Sequence, residues 1–149
     1  EQIAAYCFAV DAVNFCFWPN NPSGHFEYEH MTRNFEKLMK DDPKFFTERL
    51  GETTSEFLKT NVFTTVNKFA LIDERARFLR EVGTHIKSFM SFIESSGFDC
   101  QRLVEQIVNT LPGFRDMAIY EGKQVFFYKR AQILVADLVG AFDDYRQQL

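Results

Sequence analysis

The sequence predicts an all-α fold arranged as one helical domain over residues 1–149. Three observations carry that expectation. Apolar residues return at three- and four-residue spacing in segment after segment, the period of a helix that buries one face. Clusters of Pro, Gly, Ser and Asn punctuate those segments. No long run alternates polar with apolar residues, as a half-buried strand does. Together they give six or seven helices, without an internal repeat, a low-complexity tract or a linker to a second domain.

The first helix is read over Gln2 to Phe17, where Ile3, Tyr6, Cys7, Val10, Val13 and Phe17 repeat at helical spacing in a segment apolar nearly all round. Pro19, Asn20, Asn21, Pro22, Ser23 and Gly24 end it. Phe26 to Met39 follows with its own stripe. His25 and His30 stand five apart, on different sides of a helix, and so do not form a metal-binding pair. Asp41-Asp42-Pro43 signals the start of a short helix over Lys44 to Leu50, and Thr54-Ser55-Glu56 opens another. Leu71 to Ile93 is the clearest amphipathic helix, although Gly83 inside it lowers helix propensity. Asp99 caps a helix that Pro112-Gly113 stops, and Arg115-Asp116 is read as a charge pair in the turn beyond. Met117 to Tyr120 is a short extended piece before Glu121-Gly122. The last helix is expected from Phe126 through Leu138, carrying Lys129, Ile133, Asp137 and Ala141 along one side.

That last helix holds the residues hardest to explain by packing. Lys129 and Asp137 lie about 12 Å apart along its axis, able to approach one small ligand from opposite ends. An unpaired carboxylate among apolar neighbours costs several kcal/mol. Two readings of Asp137 are open: a site residue, or a structural carboxylate paired with Arg130 or Arg75. Asn14 is similarly double. Within Asn14-Phe15-Cys16-Phe17-Trp18 its amide either reads the polar edge of a flat heterocycle while a ring stacks on its face, or caps a backbone end inside an aromatic core.

Composition narrows the function. Apolar residues make up 46% of the chain, with 18 Phe, so a large core is available. Seventeen basic residues are dispersed among 21 acidic ones for a net charge of −4, which excludes the basic stripe that nucleic-acid binding requires but leaves room for a single phosphate. Three cysteines, Cys7, Cys16 and Cys100, fit neither a metal-ligand spacing nor a disulfide framework and point to a reducing compartment, the cytosol by default. No apolar run approaches the ~20 residues of a membrane span. The chain starts without Met inside an apolar pattern, as a fragment does. Nucleophile-elbow, phosphate-loop, metal and triad patterns are missing. A carboxylate-and-lysine constellation beside aromatic rings remains.

A family resemblance enters through Asp11-Ala12-Val13-Asn14-Phe15-Cys16-Phe17-Trp18, Asp73-Glu74-Arg75-Ala76-Arg77-Phe78-Leu79, Phe114-Arg115-Asp116, Glu121-Gly122-Lys123 and Phe127-Tyr128-Lys129-Arg130-Ala131-Gln132-Ile133-Leu134-Val135-Ala136-Asp137. In this order they resemble the queuosine salvage proteins, the queuosine 5′-phosphate N-glycosylase/hydrolases. The resemblance implies a helical fold similar to helix-hairpin-helix DNA glycosylases. It also implies release of queuine from a queuosine nucleotide, with no metal and no organic cofactor. It places the family's lysine at Lys129 and its catalytic aspartate, within a Phe-Ala-Asp-Tyr-Arg pattern, at Asp144 of Phe142-Asp143-Asp144-Tyr145-Arg146.

The expected catalytic residues are therefore Asp144 and Lys129, and the expected substrate contacts Asp11, Asn14, Phe17, Trp18, Asp137 and Phe142. The chain departs from the family in its short spacing between Asp137 and Asp144 and in its shortened ends. In one unbroken helix, Lys129 and Asp144 would stand about 22 Å apart. Either Gly140 breaks the helix, or residues are missing, or Asp144 is a chance match. The competing function is a non-catalytic helical binding or scaffold module that keeps only the base pocket.

Overall fold

A computed structural model describes residues 1–17, 26–64 and 69–148. Its elements are α1 (Gln2–Val13), α2 (Tyr28–Asp41), α3 (Ser55–Asn61), α4 (Ile72–Ser96), α5 (Cys100–Thr110), an antiparallel hairpin of β1 (Met117–Tyr120) and β2 (Lys123–Phe126), and α6 (Lys129–Gln147). The mainly helical expectation holds. No helix of the described residues is long and apolar enough to cross a membrane.

The core is built around α1. Ala4, Ala5, Ala9 and Ala12 are buried with Phe8, Val10 and Val13, and these small side chains let the backbones of neighbouring elements come close. α1 packs against α6, α4 and α2. Phe8 meets Phe89 of α4 at a ring-centroid distance of 4.9 Å, and Phe35 meets Phe46 at 5.8 Å. The buried side of α4 runs through Arg75, Leu79, Val82, Ile86, Phe89 and Ile93, the stripe legible in its sequence. Its one charged member, Arg75, is fully buried.

Local chemistry sets several boundaries where expected. The Thr54 hydroxyl accepts from the Phe57 N–H at 3.1 Å to open α3, and the Asp99 carboxylate accepts from the Arg102 N–H at 3.0 Å to open α5. Elsewhere the structure corrects the sequence reading. α1 stops at Val13, short of Phe17, because buried guanidinium groups take the carbonyls that further helical turns would use. The short helix expected over Lys44 to Leu50 is a widened π-type turn at Phe45–Arg49 followed by a 3-10 turn at Leu50–Glu52. Asp116 pairs with Arg130 at 2.9 Å, while Arg115 donates to the carbonyls of Val108 and Asn109.

The last helix also starts later than expected, at Lys129. Glu121 and Gly122 both adopt positive φ, 47° and 73°, the two-residue turn that matches strand twist, and so turn the chain back into β2. Four-residue strands are too short to display a period of two, and both strands are exposed, so their sequence carries no burial pattern.

Gly83 has a tertiary explanation. A Cβ built there would stand 2.1 Å from the backbone nitrogen of Gly51, so α4 rests directly on the turn at Leu50–Glu52. Helix propensity alone predicts that Gly83→Ala stabilises by up to ~1 kcal/mol. The contact predicts the opposite sign, a loss of roughly 1–3 kcal/mol or more from overpacking against backbone. Urea denaturation of the variant against the wild type separates the two.

Candidate functional site

The site begins where α1 ends. Helix C-termini leave carbonyls without intrahelical partners and carry partial negative charge. Two buried arginines meet those of α1. Arg75 donates to Val13 O at 2.7 Å, Phe15 O at 2.8 Å, Cys16 O at 2.7 Å and Ala70 O at 3.0 Å. Arg130 donates to Ala12 O at 2.8 Å, to Gly113 O and to the Asp116 carboxylate. The Phe15 ring stands 4.3 Å from one guanidinium and 4.9 Å from the other, so both cations bear on one aromatic side chain. Burial pulls Arg75 down to about 10, which leaves it charged at neutral pH. With their guanidinium groups engaged this way, neither arginine forms, among the described residues, the ion pair with Asp137 that one sequence reading had.

Asp11 lies one turn before that clamp and is completely buried. Neither of its carboxyl oxygens has a hydrogen-bond partner of normal geometry among the described residues. The side chains of Asp137 and Asn14 nevertheless stand close enough to act on it. Burial pushes the Asp11 carboxyl up to about 8, the Asp137 charge adds to the rise, and Asn14 and Arg130 oppose it.

α1 and α6 run antiparallel. Arg130 reaches Ala12, Asp137 acts on Asp11 and Cys7, and Asp144 shares a cavity wall with Ile3. Along this seam is a groove of about 540 Å³. α1 lines it with Ile3, Tyr6, Cys7 and Val10, α2 with Tyr28, and α6 with Asp137, Gly140 and Asp144 among others. Asp137 and Asp144 are exposed and seven residues apart, on one face of α6 and about 10 Å from each other along the axis. Burial and the charge of Asp11 push the Cys7 thiol up to about 12, so it is no nucleophile at neutral pH.

The structure thus brings Asp11, Asn14 and Asp137 to one neighbourhood, of which only Asp137 lines the groove, and sets Asp144 further along that groove. It separates others. α6 passes unbroken through Gly140, so Lys129, exposed in its first turn, stays about 22 Å from Asp144 along the axis, too far for both to act on one nucleotide. Phe142 faces a second cavity with Met90 and Ile93 and packs edge-on against Phe98 at 4.9 Å. Phe17 packs edge-on against Phe69 at 6.3 Å and does not line the groove. Trp18 lies outside the described residues. Tyr6, Cys7 and Tyr28 are groove residues that the sequence reading took as core. Their helical spacing was visible, but a stripe that lines a groove and a stripe that fills a core have the same period.

Comparison with known proteins identifies relatives of the chain. A family model described as queuosine salvage protein matches residues 1–148. The chain is 39% identical over 99% of its length to a queuosine 5′-phosphate N-glycosylase/hydrolase of Dictyostelium discoideum, and 38% identical over 96% to one of Sphaerobacter thermophilus. A mouse protein of the same description is 30% identical over 92% of the chain. The chain spans about half the length of these relatives, 48%, 48% and 46% respectively.

The buried carboxyl generates a pH prediction. Asp11 has a higher pKa folded than unfolded, so below about pH 4 both states are protonated and the residue costs nothing. As pH rises toward 8 the unfolded chain releases a proton that the folded one keeps, and stability falls by up to about 1.4 kcal/mol per pH unit. Asp11→Asn removes this term. The variant should gain stability over wild type progressively from pH 5 to pH 8, read from urea melts across that range; a constant difference would show that Asp11 ionises normally.

Proposed function

The chain belongs to the queuosine salvage protein family, and from that membership we propose that it takes part, as an N-glycosidase, in hydrolysing queuosine 5′-phosphate to release queuine for reuse in tRNA. The observation that best supports this is the groove between α1 and α6, where Asp137 and Asp144 share one wall beside the buried Asp11. Cleavage of an N-glycosidic bond builds positive charge on the ribose as the base departs. A carboxylate close to the anomeric carbon stabilises that charge or activates the incoming water, whose oxygen ends on the sugar and one of whose protons ends on the base. Asp144 takes this role. Asp137 addresses the polar edge of the deazaguanine from the groove wall, with Tyr28 and Tyr6 as flanking rings in place of Phe17, and Asn14, near Asp11 just past α1, is the second polar contact. Lys129 does not hold the phosphate of a nucleotide whose anomeric carbon lies at Asp144. The odd cysteine count supports a cytosolic site of action.

A non-catalytic binding module is the second reading. It is favoured by the axial separation of Lys129 from Asp144 and by the lining of the groove, which holds no lysine or arginine among the described residues. Queuine binding without nucleotide turnover would select it.

Asp144→Asn should lower turnover of queuosine 5′-phosphate at least ~100-fold, whereas Lys129→Ala should change it by less than ~10-fold. The reverse ranking would move the chemistry to the Lys129 end of α6. Calorimetric titration with queuine should show losses on the order of 1–3 kcal/mol for Asn14→Ala and Asp137→Ala. Unchanged affinity in both returns these residues to structural roles.

A further inference from the structure

Asp11 is the polar group that the hydrolytic reading leaves without a task. It is fully buried, whereas Asp137, the carboxyl that acts on it from α6, is exposed on the groove wall. A cation stands nearby, yet its donors are committed elsewhere: those of Arg130 go to Asp116, Ala12 and Gly113, and its contact with Asp11 is to the backbone carbonyl at 3.5 Å. A buried carboxylate ion with no partner is among the costliest arrangements a core can hold, and a second carboxylate beside it raises that cost. Two carboxyls in contact resolve this by keeping one proton between them. The buried member keeps it, because water stabilises the charge on the exposed one.

We propose that Asp11 is a positioning residue, held as the neutral acid beneath Asp137, which turns that carboxylate toward the groove as the acceptor for the adjacent N–H donors of a guanine-like edge. A neutral Asp11 offers an O–H to Asp137, and this fixes the orientation of a side chain that is otherwise exposed and free to rotate. It also keeps Asp137 ionised. Paired N–H donors meet an ionised carboxylate more strongly than a neutral acid, and a neutral carboxyl would present its own proton to them. The groups facing Asp11 are consistent with one proton at this place. Asp137 comes from α6, Tyr6 and Cys7 from α1, Asn14 from the residue just past α1, Arg130 from the first turn of α6 and Tyr28 from α2; of these Asn14 and Arg130 favour ionisation of Asp11, and burial and Asp137 oppose it. The arrangement acts as a specificity filter: a base whose edge presents acceptors at the same place meets a second acceptor and is rejected.

This inference rests on the reading that the groove takes queuine, and its test separates the two. Carbon-13 NMR of the aspartate side-chain carboxyls, without ligand, should show Asp11 protonated through neutral pH, and the Asp137 carboxyl resonance should move on Asp11→Ala. Titration with queuine should then show affinity falling above pH 8 in the wild type, as Asp11 ionises and repels Asp137. Asp11→Asn, whose amide also donates, should stay within ~3-fold of wild type at pH 6 and lose the alkaline fall; Asp11→Ala should bind ~10-fold more weakly at every pH. A merely structural Asp11 predicts equal affinities in the two variants and no effect on the Asp137 titration. The proposal is overturned if Asp11 titrates with the ordinary carboxyls, or if Asp11→Asn loses affinity as Asp11→Ala does. Failure of wild-type protein to bind queuine overturns the queuine reading alone, since the ligand-free carboxyl titrations of wild type and Asp11→Ala still decide the positioning.

Discussion

The structure depends on how the C-terminal end of α1 is held. A helix that is buried from Phe8 to its end at Val13 leaves its last carbonyls in a medium that cannot hydrate them. Arg75 and Arg130 reach that end from α4 and α6, and Phe15 lies against both guanidinium groups. The three helices are thereby fixed to one another at a single place. Burying an arginine is expensive, and it is tolerable here because the guanidinium forks are filled with carbonyl and carboxylate oxygens. The clamp also fixes the rotation of α1 about its axis, and with it the directions of Asp11 toward α6 and of Cys7 and Val10 toward the groove.

That fixed rotation explains why an unfavourable carboxyl persists in the core. Asp11 lies between hydrophobic residues on a helix that cannot turn to bring it to water, and the nearest cations are already engaged. A residue of this kind weakens the fold as pH rises through its range, the opposite of what a salt-bridged aspartate with a lowered pKa does. Such costs cluster at sites where chemistry or recognition needs them. On the proposal made above, the carboxyl pair beside the groove is the means of recognising a base edge.

α6 acts as a ruler for the rest of the site. Because it is continuous from Lys129 to Gln147, the spacing of its polar residues becomes distance along the groove. Asp137 and Asp144, seven residues apart, fall on one face, while Lys129 is carried to the far end. The helix therefore divides the residues that a family pattern would group, and leaves a carboxylate-lined seam with its cation at one extremity.

The sequence by itself determined the helical class, the stripe of α4, the caps at Thr54 and Asp99, and the kinship carried by the run from Tyr128 to Asp137. These depend on neighbours within a few residues, where side-chain period and capping chemistry act directly. It also singled out Asn14 and Asp137 as polar residues in apolar surroundings, and Asp11 through the family resemblance. Only the tertiary structure decided what those surroundings were. It ended α1 at Val13 through an arginine sixty-two residues away, made Gly83 a contact with Gly51, and turned Phe142 to a different cavity from Asp144. The extended piece at Met117–Tyr120 was legible, but its partner strand escaped because both strands are short and exposed on both sides, and Tyr6, Cys7 and Tyr28 were read as core because periodicity reports which face of a helix is covered, not what covers it.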